Sequence, residues 1–182
     1  MPKPSVNFKH QEALDWLSDI SESNSVLSAI LSVIHPSLYS AGREAVIRLR
    51  QNAEIHPLGN VLDKWNTVFS GLSIICNRTT PVHRDTQSRS HWYDLLTALG
   101  PYQNCNLGLP GLGISLEYGP GTVVGLSGKV LEHQVLSYEG ERVCYAYFMR
   151  SNVLEWAGVD GGSWMKTDHY DIVDVVQTTS MS

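Results

Sequence analysis

Cysteine is scarce in this 182-residue chain: Cys76, Cys105 and Cys144 are odd in number and show no CxxC spacing. That argues against a disulfide framework and a zinc knuckle. No uninterrupted apolar run is long enough to cross a bilayer, so no membrane partner is expected. Positive charge is also in short supply, with 13 Lys and Arg against 18 Asp and Glu and a net charge of -5. The chain as a whole therefore offers no bulk attraction to phosphate. Internal repeats and low-complexity segments are absent. The opening "MPKPSVNFKHQEALDW" lacks the basic-then-apolar pattern of a secretory signal, which makes a reducing, intracellular setting the expectation.

What is there fits one domain over residues 1–182, with 42% hydrophobic residues and enough length to bury a core and enclose a pocket. The charge is uneven. Arg43, Arg48, Arg50, Arg78, Arg84 and Arg89 lie in the first half and Asp160, Asp168, Asp171 and Asp174 near the end, so a local basic face competes with an ordinary mixed surface. Apolar spacing of three and four predicts helix over 11–34, with a break and cap at "SESNS" (21–25), and a further helix from Pro36 or Ser40 to Gln51. This helical front spans 8–55. A core over 66–153 follows, in which "NTVFSGLSIICN", "LGISLEYG", "GTVVGLSG" and "RVCYAYFM" read as strands and "SHWYDLLTAL" as a short helix. "GPYQN", "YGPG" and "SYEGE" are turn chemistry. An acidic tail occupies 159–182. The order is α+β, a barrel or jelly roll with helices packed on it.

The chemistry begins at "NRTTPVHRDTQS" (77–88). His83 and Asp85 leave the same face of an extended segment, and His133 in "GKVLEHQV" offers a third donor. Two histidines and a carboxylate on three corners of an octahedron suit non-haem Fe(II) with three positions open; a closed zinc site needs a fourth ligand. On "GERVCYAYFMR" the period of two sets Arg142, Cys144, Ala146, Phe148 and Arg150 on one face and Val143, Tyr145, Tyr147 and Met149 on the other. An inward arginine calls for an anion, here the far carboxylate of 2-oxoglutarate, unless Glu139 or Glu141 pairs with it at the strand mouth. Phe148 lies about 20 Å along the same face at strand rise, as a platform for a flat substrate or as core. His35, His56, His91 and His169 read as surface or satisfied histidines, with His91 a candidate pocket residue, and Trp92 and Tyr93 read as core.

The segment from Gly71 to Val153, with "NRTTPVHRD", "HWYDLLTALG", "YGPGTVVGLSGKVLEHQV" and "ERVCYAYFMR", resembles the TET/JBP family of Fe(II)/2-oxoglutarate dioxygenases. It is most similar to the compact protist and basidiomycete members, which include methylcytosine and methyladenine oxygenases. The resemblance implies a double-stranded β-helix with His83, Asp85 and His133 as iron ligands and Arg142 on the C5 carboxylate of 2-oxoglutarate. It further implies Arg78 at the cosubstrate's other end, Phe148 stacked on a flipped base, and Arg150 where a base-contacting histidine stands in related enzymes. Cys144 takes the place of a small polar residue facing the cosubstrate. Fe(II), 2-oxoglutarate and O2 are thus the implied cofactors, methylated DNA the implied partner, and the nucleus the implied compartment. One departure concerns the substrate: three residues past Asp85, where DNA-oxidising members carry Asn or Asp against the base edge, this chain has Ser88, with shorter reach and a single hydroxyl. Three readings follow from the residues: an oxygenase of methylated bases, the same oxygenase chemistry on RNA, protein or a small molecule, and a jelly-roll binding module without turnover.

Overall fold

The structure, a computed structural model, describes residues 6–52 and 59–166. After a 3-10 turn at Val6–Lys9 come α1 (Gln11–Asp19), α2 (Ser21–Ile34), α3 (Pro36–Gln51) and α4 (Gly59–Lys64). The break between α1 and α2 falls at Ile20, one residue before "SESNS", which forms the first turn of α2 and not a linker. The joint between α2 and α3 is fixed by His35. Pro36 at the first helical position lacks the amide that would otherwise go unpaired, and the Leu38 amide donates to His35 Nδ1 at 3.3 Å. The other ring nitrogen, Nε2, donates to the carbonyl of His91 at 2.8 Å, which ties the helical layer to the sheet.

Ten strands follow: β1 (Gly71–Cys76), β2 (Thr80–His83), β3 (Asp94–Leu99), β4 (Tyr102–Gln103), β5 (Asn106–Leu109), β6 (Ile114–Glu117), β7 (Val123–Leu126), β8 (His133–Val135), β9 (Glu139–Gly140) and β10 (Val143–Phe148), then α5 (Ser151–Trp156). They make two four-stranded antiparallel sheets, β1-β10-β3-β7 and β2-β8-β5-β6, and a two-stranded ribbon, β4-β9. Side chains of both large sheets line one cavity, the arrangement of a jelly roll. The sequence "SHWYDLLTAL" therefore is not a helix. Its apolar half is β3, a central strand between β10 and β7, and strands buried on both faces read as continuous apolar runs that periodicity cannot assign. "GPYQN" and "SYEGE" likewise contain β4 and β9, whose register pairs Tyr102 with Gly140 and Gln103 with Glu139.

The larger sheet separates two cores. On its outer face Leu95 and Tyr147 pack with Leu27, Leu31, Leu38 and Phe69, and the Tyr147 hydroxyl donates to Asn24 Oδ1 at 2.8 Å. Each such fully buried apolar side chain contributes roughly 1.5–3 kcal/mol. On its inner face Ala98, Leu126 and Cys144 meet Leu107 and Val135 of the smaller sheet. Trp92 is buried outright and donates its indole N–H to the carbonyl of Gly161, which holds the described part of the tail against the sheet. All three cysteines are free. His56, His169, Asp168, Asp171 and Asp174 lie outside the described residues. Among the described residues no helix is long and apolar enough to cross a membrane.

Candidate active site

His83 ends β2 directly opposite His133 on β8, and their rings stand 4.1 Å apart between centroids. Asp85 lies two residues beyond the strand, where its amide donates to the carbonyl of Gly128 at 2.9 Å and turns the carboxylate back toward the histidines. His83 Nε2 is 3.9 Å from Asp85 Oδ1, and His133 Nε2 is 3.7 Å from Asp85 Oδ2. Both rings are held the same way: Nδ1 of His83 donates to Pro81 O at 2.9 Å and Nδ1 of His133 to Leu131 O at 3.0 Å. With the proton on Nδ1, each Nε2 presents its lone pair to the shared point, the tautomer a metal requires. The three donor atoms lie within 4.8 Å of one another, and among the described residues no other trio of this kind is found. His133 is buried whereas His83 and Asp85 are half exposed, so one side of the group stays accessible.

The trio opens into a cavity of about 400 Å³, in the range of small-molecule sites. Arg142 lies at one end, 2% exposed. Its guanidinium carbon is 5.1 Å from the ring of Tyr118, 5.6 Å from Tyr138 and 5.7 Å from Tyr102. No Glu or Asp pairs with it among the described residues, so the strand-mouth ion pairs with Glu139 or Glu141 are not formed, and its Nε has no hydrogen-bond partner. Burial pushes the Tyr118 and Tyr102 phenols and the Cys105 thiol up, which keeps these neighbours neutral. A buried arginine keeps its charge, so this end carries a positive charge that no carboxylate among the described residues meets. The backbone is clasped by Asn77, whose Oδ1 accepts from the Arg142 amide while its own amide donates to the Arg142 carbonyl, both at 2.8 Å. Asn77 takes a positive φ of 48°, a conformation asparagine tolerates.

At the other end lie Phe148 and Arg150, with the Arg150 guanidinium 4.9 Å above the Phe148 ring. A Cβ on Gly71 would run into that ring at 2.3 Å, so the glycine is what lets the phenyl lie flat on β1. The alternation read from the sequence holds along the strand, with Arg142, Cys144, Ala146, Phe148 and Arg150 lining the cavity, but it fails at Met149, which follows the end of β10 and lines the cavity too. Ser88 lines it too. Arg78 does not; it is exposed in the loop between β1 and β2. His91 sits outside the cavity lining, against Trp92 and Trp164. A lining residue that the sequence reading missed is Asp94, 3% exposed, whose carboxylate neither oxygen of which finds a hydrogen-bond partner. Burial first, and the Asp85 charge second, raise its pKa to about 7. The Gly128 amide and the Ser88 hydroxyl draw it partly back, neither at full hydrogen-bond geometry. Gly128 is the hinge of the arrangement: a Cβ there would strike Asp85 Oδ2 at 2.4 Å and Asp94 Oδ2 at 2.8 Å.

The first-half arginines are largely engaged within the fold. Arg48 bonds to Glu44 and to the carbonyls of Ala157 and Gly158, Arg50 to those of Leu62 and Trp65, and Arg84 and Arg89 pair with Glu132 and Glu155.

A jelly roll that brings two histidines and a carboxylate together beside a buried, anion-ready arginine defines the class of Fe(II)-dependent oxygenases with an acidic cosubstrate. The family model Tet_JBP, the oxygenase domain of the 2OGFeDO superfamily, matches residues 3–151. The chain belongs to this family, and with it to the dioxygenases that use Fe(II), 2-oxoglutarate and O2. Among solved structures, NgTET1 in complex with 5mC DNA is similar, with a TM-score of 0.56 and 16% sequence identity over 88% of this chain and 59% of that one. The likeness at that identity is one of fold, and the chain spans 59% of that relative's length. A search of the curated proteins finds no match.

Proposed function

We propose that the chain is a dioxygenase domain that oxidises a methyl group on a nucleobase of DNA, 5-methylcytosine or N6-methyladenine. The observation that carries this reading is the single cavity, which has the donor trio in its wall, a buried guanidinium at one end and an aromatic platform at the other. In this reading His83, Asp85 and His133 hold the iron, and the bound metal supplies oxygen activation at the expense of 2-oxoglutarate. Arg142 binds the cosubstrate's far carboxylate within its cage of tyrosine rings, with Cys144 beside it. Arg78 is assigned to the cosubstrate's other end, which requires the β1–β2 loop to carry it inward.

Phe148 stacks the target ring. Arg150, now resting on Phe148 and donating to Gln87 Oε1 at 3.4 Å, yields that face and contacts the base, while Ser88 faces its edge. A base inside a duplex cannot reach such a cavity, so the substrate is flipped or single-stranded. The methylated DNA in the NgTET1 structure supports the substrate, and DNA as substrate would set the nucleus as the compartment.

Mass spectrometry of methylated oligonucleotides incubated with protein, Fe(II) and 2-oxoglutarate tests the proposal, reading base oxidation and succinate together. His83→Ala and Asp85→Ala should each abolish succinate release; turnover at the wild-type rate in either would refute the ligand assignment. A second reading keeps the chemistry and changes the substrate. It draws on the net charge of -5 and on the pairing of Arg48, Arg84 and Arg89 with Glu44, Glu132 and Glu155, which offsets their charge toward a duplex. Succinate release without oxidised bases, stimulated by RNA, peptide or a small molecule, would favour it. Protein that binds Fe(II) and 2-oxoglutarate in neither calorimetric nor absorption titrations would point to a binding module instead.

A further inference from the structure

The register that pairs β1 with β10 ends at Cys76 and Val143, and one step further along it Asn77 faces Arg142. In an antiparallel ladder a hydrogen-bonded pair exchanges two backbone bonds. Here one of them is ordinary: the Asn77 amide donates to the Arg142 carbonyl at 2.8 Å. The return bond is not. Asn77 has turned to a φ of 48°, and its side-chain Oδ1 stands in for its own carbonyl, accepting the Arg142 amide at 2.8 Å. The other side-chain atom, Nδ2, donates to the Glu141 carboxylate, which orients the carboxamide for that bond. On the opposite side of β10 the register with β3 stops at Val143 and Leu99, and Gly100 turns away with a φ of 122°. The sheet therefore holds Arg142 from the β1 side, and half of that hold is one side chain.

The hold matters because of how the guanidinium is seated. Its Nε has no partner, and the tyrosine rings bound it on its flanks. How far the fork projects into the cavity is set by where the strand places the Arg142 Cα. Resting on the oxygenase reading above, in which Arg142 meets the far carboxylate of 2-oxoglutarate, we infer that Asn77 is a positioning residue for the cosubstrate. Its carboxamide extends the sheet by one residue and so keeps the Arg142 fork at the depth that carboxylate needs. A bidentate pair tolerates little misplacement, and a shift of about 1 Å can cost about a hundredfold. Asn77 belongs neither to the donor trio nor to the cavity lining, so its effect falls on one end of one ligand. The residue type suits the place: asparagine tolerates the left-handed conformation and carries both an acceptor and a donor. Glycine shares the first property and lacks the second.

The test measures dissociation constants by anaerobic titration of the Fe(II)-loaded full chain with 2-oxoglutarate and with 2-oxopentanoate, which has the same 2-oxo acid head and a methyl group in place of the far carboxylate. Asn77→Gly keeps the backbone conformation and deletes both carboxamide bonds; it should weaken 2-oxoglutarate by about tenfold or more and leave 2-oxopentanoate within about twofold. Asn77→Asp together with Glu141→Gln keeps the acceptor for the Arg142 amide and exchanges donor and acceptor between the two side chains, so it should bind 2-oxoglutarate within about threefold of wild type. In an Arg142→Met background, Asn77→Gly should change 2-oxoglutarate binding by less than about twofold, because the two residues act through one contact. A folded Asn77→Gly that binds 2-oxoglutarate as wild type does, or that weakens both acids equally, would overturn the inference while leaving the Arg142 assignment intact. Asn77→Ser, whose hydroxyl is shorter than the carboxamide, reads the same contrast if the glycine variant does not fold. Arg142→Met that binds 2-oxoglutarate at wild-type strength would instead overturn both.

Discussion

The two ends of the cavity are built in different ways. At the Arg142 end the frame is already arranged, although the guanidinium Nε has no partner: three tyrosine rings surround the guanidinium, Asn77 clasps its backbone from both sides, and Tyr102 of the ribbon β4-β9 is one of those rings. At the Phe148 end the groups are present but unmet. Asp94 and Ser88 lack partners, and Arg150 rests on the ring where a substrate would stack. In the proposed reading, the end framed by the tyrosines takes the cosubstrate, which is constant, and the Phe148 end takes the substrate, which is selected. Mutations at the two ends should therefore divide cleanly between the two ligands.

The largest effect belongs to the rigid end. In the proposed reading, Arg142→Met removes the charge that meets the cosubstrate carboxylate and puts an apolar chain in its place. Loss of a bidentate charge-assisted pair should weaken 2-oxoglutarate binding by about a thousandfold, on the order of 4 kcal/mol. Because a buried charge without an ionic partner is itself costly, the variant should melt at or above the wild-type temperature. Calorimetric titration of 2-oxoglutarate alongside a thermal melt checks both halves, and a variant that binds cosubstrate normally would dissolve the comparison.

The second effect sharpens it, and it is read in the metal-free protein. Asp94 has its pKa raised by burial from 3.8 to about 7. Between those values the folded chain holds a proton that the unfolded chain has released, so stability falls as pH rises from about 4 to about 7 and is flat on either side with respect to this group. The whole fall is on the order of 4 kcal/mol at most. Asp94→Asn should remove it, and denaturant unfolding of wild type and variant at pH 5 and pH 8 measures the difference. The rigid end offers no counterpart, since its arginine stays charged throughout.

The same division governs what could be read from the sequence. The inward placing of Arg142 was legible because strand periodicity alone puts it on the same side as Cys144, just ahead of β10. Its cage was not: Tyr102, Tyr118 and Tyr138 come from three separate loops, two of which look like plain turns and contain β4 and β9. His83, Asp85 and His133 gained meaning from one another, but the bond from the Asp85 amide to Gly128 that draws them together has no local signature. Asp94 was lost for a definite reason. Reading 90–99 as a helix denies it an inward face, whereas on a strand it alternates with Leu96 and Ala98 toward the cavity. The helical front was read nearly to the residue at α3 because Pro36 and the spacing of Leu38, Ala41, Ala45 and Leu49 agree.

The smallest effect tests the platform. Phe148 is pinned flat by Gly71, and Leu in its place would keep the apolar volume while losing the π face. Stacking on an aromatic side chain contributes about 1–3 kcal/mol per base when the whole side chain is removed, so Phe148→Leu, which retains contact area, should lower oxidation of a methylated oligonucleotide by about five- to tenfold. The loss should appear in KM for DNA, because stacking binds the ring in ground state and transition state alike. The KM for 2-oxoglutarate should stay within about twofold, since Phe148 sits at the far end of β10 from Arg142. A Phe148→Leu variant that shifts both constants together would mean that the two ends communicate through the strand, and that the separation of cosubstrate from substrate is not built into this cavity.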